Sequence, residues 1–487
     1  MGNRSKRTDE VTLPDKEDEL HRYNFVRLYL ADMNGIQLSK VVPSRHADRI
    51  LSNHCEIYSG VLQMGPRFEI NLVPEVLEKK HENGYLVPDM STCHPCPWAS
   101  RQQNINVCGI VCEMNWQDGT IVQGHPRTVA RRLLSELAQK HNLELFSGFE
   151  PEFRVFRPEG FQEACAFPTT NVSDEQDSAQ FKSPKPYSNV FDMYRSGALS
   201  VYEPFLFDLD QQLKSARVDA QEFTHEHGTA QLEIPLVPQY GIRSADSYFI
   251  FKQAVREVAK AHNMRVSFMT TPILNEAASG CHFNHSLWDR KTGRNVLFDA
   301  QNDEKLSQLS RHWIGGLIAH MPALTALCSP TVNCYRRLNG NFSPTSTDWD
   351  INDRFVALRV KNVDESRTYI ENRLSSSASS SYHVMAATLA AGMDGIERKL
   401  EPPERGKKTV ADEARESDCS KLPTTLWEAI EALKADTILV NRLGTQFVDW
   451  FIRTKQFGDL QTLADVDIQS DSERMLAYER YEYLEFI

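Results

Sequence analysis

His141-Asn-Leu-Glu-Leu-Phe-Ser-Gly-Phe-Glu-Pro-Glu-Phe-Arg-Val-Phe-Arg-Pro-Glu-Gly160 is the stretch around which the chain is organised. Aromatic and branched residues alternate with polar ones, and Gly148 and Pro158 punctuate the ends, which is the pattern of a β-strand. Side chains of a strand point alternately to its two faces, so Glu150 and Glu152 share one face while Phe149, Phe153 and Val155 take the other. Two such acids alone read as surface carboxylates or an arginine-paired edge. With compensating partners they read as half of a divalent-metal site.

Three further strand-like stretches carry polar residues where apolar ones are expected. Thr224 to Leu236 places Gln231 and Glu233 on one face, Leu232 and Ile234 on the other, with Glu226 just before the strand. Gly280 to Trp288 places His282, Asn284 and Ser286 together, and Thr368 to Leu374 pairs Glu371 with Arg373. Five carboxylates and one histidine thus recur on otherwise apolar strands. Burying so many acids is costly unless cations compensate. Oxygen-rich sites with one imidazole suit Mg²⁺ or Mn²⁺, and a pair of such ions serves phosphate chemistry. Arginines follow at Arg336, Arg337, Arg354 and Arg359, the last enclosed by apolar residues, and guanidinium forks bind carboxylate and phosphate.

The 487 residues allow more than one domain and a large core. A net charge of -12 argues against a general nucleic-acid binder. No apolar run reaches the ~20 residues of a membrane span, and the N-terminus lacks the apolar segment of a secretory signal. Ten scattered cysteines, with Cys93-His-Pro-Cys96 lacking a second pair at zinc spacing, suggest a reduced, cytoplasmic protein.

Residues 1–21 read as a disordered tail, 22–120 as a small β-rich domain beginning with a hairpin across Asp32 to Gly35, and 121–487 as the larger domain. The pattern predicts helices over Thr128–His141, Ser244–Asn263 with Ser244 as N-cap, Ser307–Ala326, Tyr382–Arg398, Leu426–Lys455 and Ser472–Phe486. Residues 158–200 read as a loop-rich excursion and Glu401–Pro423 as a charged linker.

The order of motifs resembles the class I glutamine synthetase family from about Tyr23 to Ile487. They are Leu86 to Thr92 with Pro97-Trp98, His125-Pro126-Arg127, Glu150-Pro151-Glu152-Phe153, His225-Glu226 with Gln231-Leu232-Glu233, and Gly280-Cys281-His282 with Ser286-Leu287-Trp288. Tyr335-Arg336-Arg337-Leu338, Arg354 to Arg359, Ile370 to Arg373 and Ala387 to Ile396 complete the series. The resemblance implies an α+β protein, with an N-terminal β-grasp domain and a catalytic domain whose antiparallel strands form a funnel. It also implies a homo-oligomer of two stacked hexameric rings, a dodecamer with sites between subunits. By position, Glu152, Glu226 and Glu233 would hold one Mg²⁺ or Mn²⁺, and Glu150, His282 and Glu371 the other. Arg337, Arg354 and Arg359 would surround the phosphate of ATP and the glutamate carboxylates, with Arg373, Ser286 and Asn284 on the substrate side. In the family, ATP phosphorylates glutamate and ammonia displaces phosphate.

Several parts of that pattern are altered. Glu56 to Gln63 lacks the run whose Asp binds ammonium, and Ser343 stands where the flap Glu is expected. Ala277-Ala278 replaces an Asn-Gly that holds the amino-acid end of glutamate. Asn284 replaces a histidine, with His285 turned to the opposite face, and Tyr369 replaces an arginine near the nucleotide. The combination resembles the lengsin branch of the family. It implies a pseudoenzyme without glutamine synthetase activity, acting as an oligomeric structural or chaperone-like protein with a cytoskeletal, intermediate-filament partner. The alternative is an ATP-dependent γ-glutamyl ligase acting on another amine. Neither reading requires nucleic acid or membrane.

Overall fold

Alternating apolar residues make Phe25–Ala31 (β1) a strand, and the turn at Asp32–Gly35 returns the chain along Gln37–Pro43 (β2) in antiparallel register. The Asp32 carboxylate accepts from the amides of Asn34 and Ile36, which closes this turn. In the computed structural model, residues 13–71, 73–100, 104–167, 182–189, 193–338, 343–405, 421–460 and 473–487 are described. Glu56–Tyr58 (β3), Asn83–Pro88 (β4), His94–Pro95 (β5) and Val107–Asn115 (β6) complete the first sheet, in the order β2-β1-β6-β4-β3 with β5 beside β6. The hairpin lies next to a parallel β6, as expected of a β-grasp sheet.

The second sheet is built on Leu143–Phe156 (β7), and its order is β13-β14-β15-β12-β7-β9-β8, with β10 and β11 also on β7. These strands are Thr224–His225 (β8), Gln231–Glu233 (β9), Gln239–Tyr240 (β10), Arg265–Ser267 (β11), Cys281–Asp289 (β12), Trp349–Ile351 (β13), Leu358–Asn362 (β14) and Thr368–Asn372 (β15). All pairings are antiparallel except β13 with β14. β7 runs through Gly148 instead of starting there. A Cβ at Gly148 would stand 3.0 Å from the Leu236 carbonyl oxygen, so the glycine serves close approach rather than a turn.

One face of this sheet packs on the helix Arg243–Ala261. Phe149 stacks on Tyr248 at 5.0 Å and lies 4.7 Å from Phe283, while Phe153 meets Phe251 and Phe268. These apolar contacts face the acids' side chains away from the core. The helix Pro126–His141 begins with proline, which has no amide to leave unsatisfied, and ends at a left-handed Asn142. Arg127, fully buried, joins the parts of the fold. Its guanidinium bonds Asp89 after β4, Glu113 on β6 and Asp246 on the helix Arg243–Ala261, and Tyr382 donates to the same Asp246.

Some expectations need correction. Residues 13–21 of the expected tail form the helix Leu13–His21, because Leu20 is wholly buried in the core; residues 1–12 lie outside the described residues. The helix expected from Ser244 starts at Arg243, and Ser244 is buried in its first turn without capping it. The helix expected over 307–326 divides into Gln308–Ala319 and Met321–Cys328, since Pro322 cannot donate to the preceding turn. That expected over 426–455 divides into Leu426–Ala435, Thr437–Leu443 and Thr445–Thr454, broken where Asp436 caps a new start and where Gly444 takes φ +98°. The 158–200 excursion contains the helices Pro158–Ala164 and Ser196–Ser200. Its residues 168–181 and 190–192, and 406–420 of the expected linker, lie outside the described residues. No helix among the described residues is long and apolar enough to cross a membrane.

At the first of these breaks sits His320, 4% exposed, with Nδ1 2.5 Å from Asp436 and Nε2 3.0 Å from Asp394. Burial alone would lower its pKa, but the two carboxylates outweigh burial and raise it above 6.5. A raised folded value means stability is fully present below the unfolded pKa and is lost as pH rises through the folded one. Raising the pH from about 6 to about 9 should therefore lower the melting temperature more in the native protein than in His320→Gln. Equal pH slopes in differential scanning fluorimetry would refute a charged His320.

Candidate metal centre and substrate cavity

Strand register, not sequence proximity, assembles the acids. Glu150 faces His282 across β7 and β12, Glu152 faces Glu233 across β7 and β9, and Arg359 faces Glu371 across β14 and β15. Because side chains alternate, these residues all emerge on the side of the sheet away from the helix Arg243–Ala261. Glu226 comes from the turn between β8 and β9, and Arg373 from the residue after β15.

The oxygens and nitrogen of Glu150, Glu233 and His282 lie within 4.8 Å of one another. His282 Nδ1 is 3.5 Å from both Glu150 Oε2 and Glu371 Oε1. This close group draws from both expected ligand sets. Glu152 Oε2 accepts from Gly280 N at 3.0 Å and Gln231 Nε2 at 2.7 Å, which aims its other oxygen inward. Asn284 Nδ2 donates to Glu150 Oε1. Glu371 accepts from Arg359 at 3.1 Å and from Arg373.

Burial raises the carboxyl pKa values, and crowding adds to it at Glu226 and Glu233. Burial, then Glu152, pushes Glu226 up to about 7, and burial with Glu152, Glu150 and Glu226 pushes Glu233 up to about 10. Burial likewise raises Glu150 and Glu152, and burial followed by Arg373 drives His282 well below 6.5, leaving it neutral. A neutral imidazole among carboxylates that are strained by their own repulsion is a donor set suited to hard divalent cations such as Mg²⁺ or Mn²⁺. The residues present fit such ions.

These residues form one wall of a cavity of about 1430 Å³, larger than the ~300–1,000 Å³ that holds a single drug-sized ligand. All six expected ligands line it, as do Arg337, Arg354, Arg359 and Arg373. Arg337 closes the helix Cys334–Leu338 and donates to the carbonyls of Arg373 and Leu374. Arg336 pairs with buried Glu479 at 2.8 Å. Asn284 and Ser286 are not among the cavity-lining residues. Asn284 is turned to Glu150, and Ser286 Oγ accepts from Trp288 Nε1 at 2.9 Å. His285 is buried on the opposite face and accepts from Trp313.

The altered positions line the same cavity, including Ser343, Ala277, Ala278 and Tyr369. Sequence reasoning missed what holds the alanines. The alternation that joined Glu150 and Glu152 continues to Arg154, which is wholly buried and donates to Glu276, to Thr229 O and to Ala277 O. That period-two signal was present in the strand. Tyr194, Glu222, Lys361 and Trp427 also line the cavity, and no local pattern marks them.

Comparison with known proteins agrees over most of the chain. Residues 123–471 match the family described as glutamine synthetase, catalytic domain. The chain is 28% identical to glutamine synthetase of Methanococcus voltae over 451 residues, covering 91% of this chain and 95% of that protein. It is 27% identical to lengsin of Homo sapiens over 465 residues, covering 94% and 84%. Among solved structures, the ADP complex of GmaS superposes with a TM-score of 0.76 at 25% identity, covering 91% of this chain and 95% of that one. A structure described as a novel glutamine synthase homolog gives 0.76 at 23% identity, covering 94% and 99%.

Proposed function

Because the chain belongs to the glutamine synthetase family, we propose that its cavity binds two divalent cations and ATP and joins a glutamate-type carboxylate to an amine other than free ammonium. One observation carries this reading: six potential ligands and four arginines line a single cavity, in which Ser343, Ala277 and Ala278 are altered. A scaffold gains nothing from burying so many mutually repelling acids, which cost stability unless a cation is bound.

Glu152, Glu226 and Glu233 would hold one cation and Glu150, His282 and Glu371 the other. A divalent ion such as Mg²⁺ or Mn²⁺ held by these residues would supply the charge neutralisation that phosphate transfer needs. Arg337, Arg354 and Arg359 bind phosphate and carboxylate oxygens through their guanidinium forks, and Arg373 orients Glu371 while facing the substrate. Asn284 acts indirectly by orienting Glu150, whereas Ser286 is bonded to Trp288 and does not line the cavity. The γ-phosphoryl group passes to the carboxylate, giving an acyl phosphate and ADP. The amine nitrogen then attacks the acyl carbon, the C–N bond forms as the C–O bond to phosphate breaks, and phosphate leaves with that electron pair. Surplus amine protons pass to solvent and phosphate. Ser343 has no carboxylate to accept them, so the amine gives up its proton to water before it attacks.

The second reading is a lengsin-like protein without catalysis, built as stacked hexameric rings and bound to an intermediate-filament partner. The loss of the Glu at 343 and of the Asn-Gly at 277–278 favours it, as does similarity to lengsin. ADP release measured with Mg²⁺, glutamate and a panel of amines separates the two. We expect release that needs both glutamate and an organic amine, with no glutamine formed from ammonium. Absence of ADP release with every amine would leave only the second reading.

A further inference from the structure

The outer part of the cavity differs chemically from its acidic wall. Tyr194, Phe355 and Trp427 line it while remaining 67%, 48% and 53% exposed, and Met193 joins them at 37%. They come from three separate segments: the turn before the helix Ser196–Ser200, the bend before β14, and the first turn of the helix Leu426–Ala435. Scattered exposed aromatics are ordinary, but several lining one cavity mark a binding surface.

Tyr194 is also held in place at a cost. Its φ is +62°, a left-handed conformation unfavourable for a bulky side chain, and its amide donates to His225 O at 3.2 Å. This bond ties the ring to the segment that carries Glu226. Glu222 lines the cavity too, is exposed, and is not one of the six expected metal ligands. One face of Trp427 already lies 5.6 Å from the Lys434 ammonium, an arrangement typical of a ring that accepts cations. Ala277, Ala278 and Ser343 line the same cavity with short side chains.

Aromatic faces and a spare carboxylate together recognise a positive charge attached to an apolar body, whereas ammonium has no hydrocarbon to bury against the rings. We propose that the amine substrate is a primary organic ammonium with a hydrocarbon body, received by Tyr194, Phe355 and Trp427 and steered by Glu222. This rests on the ligase reading and names its nitrogen donor.

The test is calorimetric titration of the full chain, loaded with Mg²⁺ and ADP, with 2-phenylethylammonium, n-butylammonium and ammonium chlorides. The two organic ions should bind at least about 10-fold more tightly than ammonium. Tyr194→Ala and Trp427→Ala should each weaken them by about 5–30-fold, as loss of a partly desolvated cation–π contact implies. Glu222→Gln should weaken both organic ions, and affinity for Mg²⁺ and ADP should be unchanged in all three variants. Organic ions binding no tighter than ammonium, or rim variants without effect, would overturn the proposal. Amine binding without any ADP release would instead sink the ligase reading and leave the recognition surface standing. ADP release driven equally by ammonium in native and rim variants would do the reverse.

Discussion

Magnesium-dependent binding of ADP should fall by at least about 100-fold in Glu152→Ala, because losing even a group that merely orients a metal ligand costs about 10–100-fold. Glu152 is the most constrained of the acids. It faces Glu233 in register, and Gly280 N and Gln231 Nε2 hold one of its oxygens. The free oxygen therefore needs no reordering to meet a cation. Removing the carboxylate also leaves Gln231 Nε2 only the more distant Ala278 O and Ser279 Oγ, and removes a negative neighbour that raises Glu226 and Glu233. Those two glutamates should then ionise more easily, yet lack the third oxygen donor. Glu152→Gln keeps the side-chain volume and separates charge from packing. Isothermal titration with ADP in the presence of Mg²⁺ reads the effect. Undiminished affinity in both variants would remove Glu152 from the metal centre.

The largest effect on folding is expected at Arg127. Its guanidinium is wholly buried and bonds Asp246 through both Nε and Nη2 at 2.8 Å, Asp89 at 2.7 Å and Glu113 at 3.1 Å. Removing one partner of a buried ion pair costs about 3–5 kcal/mol, because the remaining charge stays out of water uncompensated. Arg127→Leu leaves Asp246 nearly buried with only the Tyr382 hydroxyl to satisfy it, so destabilisation at the upper end of that range is expected. Arg127→Lys restores the charge but not the fork, and should recover part of the loss. Combining Arg127→Leu with Asp246→Asn should cost less than the two singles added, since the stranded charge is then gone. Urea unfolding followed by tryptophan fluorescence checks the series. Strict additivity would show that Arg127 and Asp246 do not act as a pair.

Much of the fold is legible because it depends on local periodicity. The hairpin Phe25–Pro43, the helix Pro126–His141 and the two faces of β7 follow from alternation and helical spacing. What misled the reading was continuity: an apolar pattern runs through Asp436 and Gly444, while the backbone turns there. Periodicity registers which face is apolar and is blind to a change of axis when the apolar face persists on both sides.

The sequence by itself determined the residue types of the site, because acids repeated on apolar strands require compensation wherever they lie. It also placed Glu150 and Glu152 on a common face, since strand geometry leaves no other choice. Tertiary structure decided which acids meet. Glu233, His282 and Glu371 reach Glu150 and Glu152 through the register of strands distant in sequence, and register is set by packing against Tyr248 and Phe251 rather than by any neighbour in the chain. It alone brought Tyr194, Phe355 and Trp427 to one cavity, because exposed side chains on turns and helix starts carry no periodic signal of where the chain will fold them.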